Sequence, residues 1–446
     1  MKLNQKLIIV AGIVLLFLLG IGHILSLSSV NVMICMMLLF LFIISNLRTN
    51  VLLLFTAIPF FNLFTSSIGS TSLFYLYVIV FLLKYIHVNK YHFNKNKILI
   101  FTILVLVRIT SGDFVYLAKW SLLLSVFIFT YNEDFFIEQS NKIVKYLSIS
   151  FILSSLFGYY MLQNGLSIYT NSYIYISSEL TVTRFAGLVG DSVFYSQFAA
   201  LLIAANLVIN YYNNSGRIFR YVVVTILIFF IILTYSKTGL ILALVSIAIY
   251  LIALVYNNIK TRKKIISTSL IVILSISLMI IGANYILKHT HNLIISNYIN
   301  RFSASDLLTG RKEVYAHYIN LLEHNWETPF FSMPQDEYLS IFTTNGINKL
   351  NRAHSIYLET VCAFGIFTSI ILFGWILVKV LQVLRSENQK FCILPLLIML
   401  ASGFTLHGHF EFHYYFILSV AFMYLNKEII AAIINKVNED IDTGKE

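Results

Sequence analysis

The sequence predicts an all-α polytopic membrane protein, a bundle of about 12–14 transmembrane helices with one large extracytoplasmic loop containing an amphipathic helix. Three observations lead there. Hydrophobic residues make up 58% of the chain and charged residues 11%, roughly half the charge of a soluble domain, and mean hydropathy is +0.81. Apolar runs able to cross a hydrocarbon core ~30 Å thick recur along the chain. The runs lapse between Lys288 and Ala353, where TGRKEVYAHYINLLEHNWE and NRAHSIYLE appear with two of the four prolines, Pro329 and Pro334.

The apolar runs place spans at about 7–27, 30–46, 51–64, 73–89, 98–110, 114–131, 143–163, 187–211, 219–235, 239–257, 265–287, 355–381, 391–406 and 410–426. The third and fifth are short enough to be re-entrant or tilted. The first is too long for a signal-peptide core and has no A-x-A site after it, so it reads as a retained span. With no internal repeat and no low-complexity linker, residues 1–446 read as a single membrane domain, with the 288–353 loop inserted between spans. Cys35, Cys362 and Cys392 all fall in or beside apolar runs and match no metal spacing, so they read as packing residues.

Lysine and arginine in the short loops set the expected orientation. With a cytoplasmic N-terminus, the inner loops hold Arg48, Lys90, Lys95, Lys97, Lys142, Lys145, Arg217, Lys260, Arg262, Lys263, Lys264, Arg385 and Lys390, while the turns at 28–29, 65–72 and 407–409 hold none. The net charge of +11 is then a topology signal rather than a sign of nucleic-acid binding. Both termini fall inside and the 288–353 loop outside. Within the loop, Val314, Tyr318, Leu321 and Leu322 recur at helical spacing, which predicts an amphipathic helix over 310–326, lying on the bilayer surface or capping the bundle. Thr309 is its expected N-cap.

Cations on the outer side oppose the topogenic trend and so carry information. Arg184 (in TRFAGLVGD), Lys237 (in TYSKTG), Arg311 (in TGRKE) and Arg352 (in NRAHS) lie beside spans or on the loop helix. Guanidinium groups at a membrane surface suit a phosphate or diphosphate, which the planar fork of arginine binds bidentately. Plain ion pairing is the competing explanation, since the loop also holds Asp306, Glu313, Glu323, Glu327, Asp336 and Glu337. His354 stands at the mouth of the 355–381 span, where an imidazole serves as a general base or phosphate donor, or simply as an interfacial histidine. Glu359 lies one turn into the membrane, and carboxylates there are functional or paired. Asp191 neutralises Arg184 or touches substrate. Asp113 beside Arg108 and Lys119 reads as a local ion pair. In HGHFEFH, His407, His409, Glu411 and His413 have a spacing too permissive to identify a metal site, and no Gly-rich phosphate loop, nucleophile elbow or DxD motif occurs.

Taken together, RFAGLVGD before a span, S-K-T-G between spans, TGR in the large loop, and His354-Ser355 followed after nine residues by Gly365 and then Thr368 resemble the O-antigen ligase and polymerase superfamily. The resemblance runs from about Arg184 to Thr368; the first six spans match in character only. It implies a bacterial inner-membrane glycosyltransferase with a periplasmic or extracellular loop, acting on an undecaprenyl-diphosphate-linked glycan without metal or other cofactor. Carried over by position, it implies Arg184, Lys237, Arg311 and His354 as site residues. With the reading of the charges above, His354 and Arg311 are the expected catalytic residues, Arg184, Lys237, Arg311 and Arg352 the expected diphosphate ligands, and Glu359 and Asp191 further site candidates. Expected partners are lipid-linked donor and acceptor glycans, membrane lipid, a flippase and a chain-length regulator. Lys237 stands where the family usually has Arg, SVFYSQ lacks the common Pro-Asn, and FFSMP replaces a Gly-containing turn. Polymerase is the leading expectation and ligase the alternative. A sugar transporter, the competing class, would carry charges in mid-span and two related halves.

Overall fold

The computed structural model describes residues 4–64, 72–89, 94–109, 114–166, 173–175, 181–260, 311–324, 330–333, 341–344, 347–350, 354–386, 388–406 and 411–434. Its helices are α1 Gln5–Ile24, α2 Ser28–Ile44, α3 Leu47–Ala57, α4 Phe74–Val88, α5 Lys95–Arg108, α6 Phe114–Thr130, α7 Asp134–Ile137, α8 Ser140–Gln163, α9 Ser192–Tyr212, α10 Arg217–Leu233, α11 Lys237–Lys260, α12 Arg311–His324, α13 Ile356–Arg385, α14 Leu394–Ser402 and α15 Tyr414–Met423. Among the described residues six helical segments are long and apolar enough to cross a membrane, so the chain is a multi-pass, all-α membrane protein. Two short antiparallel hairpins leave that class unchanged. Tyr173–Tyr175 (β1) pairs with Thr181–Thr183 (β2), and Ile341–Thr344 (β3) with Ile347–Leu350 (β4). The expected 265–287 span, the Thr309 cap, Arg352 and Asp113 lie outside the described residues.

The expected spans and the helices agree to within a few residues, with physical reasons where they differ. The third span is α3 continued by a 3-10 turn, Ile58–Phe64, because Pro59 supplies no N–H for the α ladder. The eighth was expected from 187, but α9 begins at Ser192. The turn at 187–190 has glycines at positive φ, and the Asp191 carboxylate then accepts from the amides of Val193 (2.7 Å) and Phe194 (3.1 Å). That is an N-cap, worth about 1 kcal/mol.

The core is built round α9, whose residues Phe198 to Ala205 are all fully buried. Ala199, Ala200, Ala204 and Ala205 let neighbouring backbones approach closely, as small residues do between membrane helices. Its nearest neighbour is α11. Gly239 of α11 lies so close to Ser196 that a Cβ built on it would sit 2.2 Å from the serine Cβ. Outward faces are apolar too, for example Met33, Phe40, Ile371 and Leu377, as a lipid-facing surface requires.

The two ends of the bundle differ. At one, Arg48 pairs with Glu138 (2.9 Å), Lys97 with Glu133 (2.5 Å), and Lys142 donates to Gln5 (3.1 Å). Four of the basic positions expected on one side, Arg48, Lys97, Lys142 and Lys145, therefore occur together. At the other end, α12 closes over the bundle. Val314 and Tyr318 of its apolar face are buried against Met333 and Cys362, with Leu321, Leu322 and Leu358 packed round them. The amphipathic helix thus caps the bundle.

Candidate functional site

The RFAGLVGD segment, the S-K-T-G turn, α12 and the His354-Ser355 pair meet at the end that α12 closes, and a chain of polar contacts connects them. Arg184 Nε donates to the Thr234 carbonyl at 3.0 Å, and Phe185 N–H to that of Leu233 at 3.1 Å. The RFAGLVGD segment is thereby fixed to the turn between α10 and α11. Asn62 holds the following turn from within, donating to the carbonyls of Leu188 (2.8 Å) and Val189 (3.1 Å). In the α10–α11 turn Tyr235 has φ of 50°. Ser236 follows, its hydroxyl accepting from Gly239 N–H (3.2 Å) and meeting Ser196 Oγ at 2.9 Å. Lys237 is then the first residue of α11.

From this turn the contacts continue to a segment that sequence reasoning did not single out. Thr405 donates to Thr238 at 3.2 Å, and Gln197 to Ser402 at 2.5 Å. Thr405 follows α14 in the turn Gly403-Phe404-Thr405. The same turn receives α13, since Ile356 N–H donates to Gly403 O at 2.8 Å and Tyr357 OH to Leu400 O at 2.6 Å. It also receives α12, where Tyr315 OH donates to Phe404 O at 2.7 Å and lies 3.3 Å from His354 O. The 403–405 turn therefore joins the S-K-T-G turn, the loop helix and the His354-Ser355 pair. Its only sequence signal was a glycine at the end of an apolar run.

His354 has φ of 45°, a left-handed backbone that is uncommon outside glycine and costs about 1–3 kcal/mol unless its surroundings enforce it. Here it is held between the Tyr315 hydroxyl and Ser355, which caps α13 by accepting from Leu358 N–H (3.4 Å). Strain of this kind clusters at functional sites. Tyr235, beside Lys237, shares the conformation.

Helix dipoles add a second argument. Lys237 is the first residue of α11 and Arg311 the first of α12, and the N-terminus of a helix is where its partial charge is positive. Such placement is unfavourable by itself, and a bound anion would offset it. Asp191 is more ordinary, since its Oδ1 is used in capping α9.

Glu359 is fully buried, and Arg108 is 1% exposed. Both lie within electrostatic reach of Cys362 and Tyr415. Arg108, the last residue of α5, points inward. Its guanidinium donates to Ala363 O at 3.3 Å and lies 5.8 Å and 5.5 Å from the rings of Tyr116 and Trp120. The reason is Gly365, whose φ of 76° and ψ of 166° break α13. A residue with those dihedrals cannot continue the i→i−4 ladder, so nearby carbonyls need other donors. Ala363 takes Arg108, Cys362 takes Met333 N–H (2.8 Å), and Thr360 and Gly365 take Ser369 Oγ (3.1 and 2.6 Å). Ser332 N–H in turn donates to Val107 O (3.2 Å), so the FFSMP segment bridges α5 and the break in α13.

An apolar groove of about 430 Å³ runs beside this cluster between α5, α6, α13, α14 and α15. At one end are Ile356 and Tyr357, next to the His354-Ser355 pair, and at the other Lys97; Phe364, Thr368 and Trp375 line its length. His413, from the histidine-rich stretch, is buried among Phe194, Phe198 and Phe412.

Residues 222–373 match the model of the O-antigen ligase family. That match, over about a third of the chain, supports the O-antigen ligase and polymerase superfamily. Neither a curated protein nor a solved structure matches the chain. The O-antigen ligase domain takes in Lys237, α12 with Arg311 at its start, Arg352, His354, Glu359 and the Gly365 break. Arg184 and Asp191 precede it, and the 403–405 turn follows it. Enzymes of this superfamily are membrane glycosyltransferase-like ligases and polymerases.

Proposed function

We propose that the chain is a membrane glycosyltransferase that polymerises undecaprenyl-diphosphate-linked oligosaccharide repeat units on the extracytoplasmic face, building an O-antigen, capsule or exopolysaccharide. The observation that carries this reading is the convergence of Arg184, the S-K-T-G turn that precedes α11, the loop helix α12 through Tyr315, and His354 on one polar network at one end of the bundle. In this reading the bond between the anomeric carbon and the diphosphate oxygen breaks as an acceptor hydroxyl bonds to that carbon. The developing negative charge on the diphosphate is met by Arg311, Arg184 and Lys237, with Arg352 supporting. The acceptor proton passes to His354. The apolar groove that opens beside His354 suits the polyprenyl chain. Undecaprenyl diphosphate is already a good leaving group, so the residues need supply only charge stabilisation and a base.

Complementation of a strain lacking this activity tests the reading. Loss of a polymerase leaves single-repeat glycans, whereas loss of a ligase leaves long polymer on the carrier lipid. Arg311→Ala and His354→Ala, at matched protein levels, are expected to leave single repeats. Normal polymer from both variants would remove the site assignment. Long polymer retained on the carrier would replace polymerase by ligase.

A further inference from the structure

At the end of the bundle opposite the candidate site, α1, α8, α9 and α10 enclose a cavity of about 650 Å³. Four cations line it: Lys6 at the start of α1, Lys142 and Lys145 in the first turns of α8, and Arg220 in the first turn of α10. No Asp or Glu is among its lining residues, and among the described residues none of the four is ion-paired. Positive-inside bias accounts for basic loops. It does not account for four side chains gathered round one concavity with no counter-charge, an arrangement that repels itself unless an anion is present.

The cavity is built. Arg220 Nε donates to Asn210 Oδ1 at 2.5 Å, and its Nη2 to Asn213 O at 2.7 Å and to Ser215 O. Asn141 and Asn213 share the Ile433 carbonyl, at 3.2 and 2.9 Å. Lys142 is directed by Gln5, at 3.1 Å. Asn210 is fully buried, and its Nδ2 has no hydrogen-bond partner.

The walls identify the kind of anion. Ile9, Val144, Ile209 and Phe219 line the cavity beside the cations, and Lys145 Nζ lies 6.0 Å from the Phe219 ring. On the flanking helices Leu7, Val10, Ile218 and Val222 are exposed. A phosphate next to aliphatic surface at the end of a membrane bundle fits a phospholipid better than a soluble anion. We propose that this cavity binds the headgroup phosphate of an anionic phospholipid, whose acyl chains lie along the outer faces of α1 and α10. The phosphate supplies a shared counter-charge to Lys6, Lys142, Lys145 and Arg220, relieves part of their mutual repulsion and so helps hold the four helices together. This site is independent of the glycosyl-transfer reading.

The test uses the full chain purified in detergent and returned to phosphatidylcholine nanodiscs with or without phosphatidylglycerol. Native mass spectrometry reads lipid retention, and melting temperature reads stability. The wild type is expected to retain phosphatidylglycerol over phosphatidylcholine and to melt higher with it. At about fivefold per lysine, Lys142→Gln with Lys145→Gln is expected to weaken retention roughly 25-fold. Lipid-free melting of that variant should be unchanged or raised, which separates lost binding from misfolding. Arg48→Gln, from the exposed Arg48–Glu138 pair outside the cavity, should retain lipid as the wild type does. Equal retention by wild type and double variant overturns the proposal. So does equal loss in Arg48→Gln, which would show general charge attraction. Stabilisation by inorganic phosphate that matches that of the lipid and displaces it also overturns the proposal, in favour of a soluble anion.

Discussion

Tyr315 donates its hydroxyl proton to the Phe404 carbonyl at 2.7 Å, with the His354 carbonyl 3.3 Å away on the same oxygen. One phenol thus fixes the loop helix to both the 403–405 turn and the strained histidine. Tyr315→Phe keeps the ring and removes the bond, costing about 0.5–1.5 kcal/mol of docking. A fall of up to roughly tenfold in polymer formation at unchanged protein level is the expected result, read by quantitative glycan banding. Wild-type banding would show that the bond does not position His354.

Asp191 separates a capping role from a chemical one. Asp191→Asn retains an N-cap acceptor, so near-normal protein level and polymer are expected. Asp191→Ala removes the cap and should lower stability by about 1 kcal/mol, measured as melting temperature. Loss of polymer in the asparagine variant, with melting unchanged, would instead place the carboxylate's charge in the reaction.

The closeness of α9 and α11 can be tested by exchange. Gly239→Ala places a Cβ 2.2 Å from that of Ser196 and must push the helices apart, so a loss of about 1–3 kcal/mol is expected from overpacking. Adding Ser196→Gly to Gly239→Ala restores the space and should recover part of the melting temperature. A double variant no better than the single one would refute the close approach.

Burial lowers the pKa of His317 on the loop helix below the ordinary imidazole value. The unfolded or undocked helix then binds its proton at higher pH than the docked one. Docking is therefore weakened as pH falls through the undocked value near 6.5. Protection factors of the α12 amides, corrected for the intrinsic exchange rate at each pH, should fall as pH is lowered from about 7.5 to about 5.5, and His317→Gln should flatten that dependence.

The fold class was readable because bilayer spans need long apolar runs, and those runs survive without knowledge of any contact. The apolar face of α12 was readable for the same reason, through Val314 and Tyr318. Helix ends were less so, since the Asp191 cap and the Pro59 transition depend on local backbone geometry. Arg184, Lys237, Arg311 and His354 stood out as charges in the wrong place. The elements that connect or hold them did not. Tyr315, Thr238, Thr405 and Asn62 act through single hydrogen bonds to backbone or hydroxyl groups far away in sequence, and such bonds leave no periodicity. Nor does helix position alone reveal that a break across the bundle offers Arg108 a carbonyl.

Gly365 makes one residue's dihedral angles the hinge pin of a latch. Met333 reaches the Cys362 carbonyl only because α13 is broken there, and lifting the 330–333 segment would strand that carbonyl in a dry interior at about 1–3 kcal/mol. Lifting that segment therefore carries a free-energy cost of its own, set by one backbone bond. In the proposed reading, a glycan that displaced the 330–333 segment would have to meet that cost first.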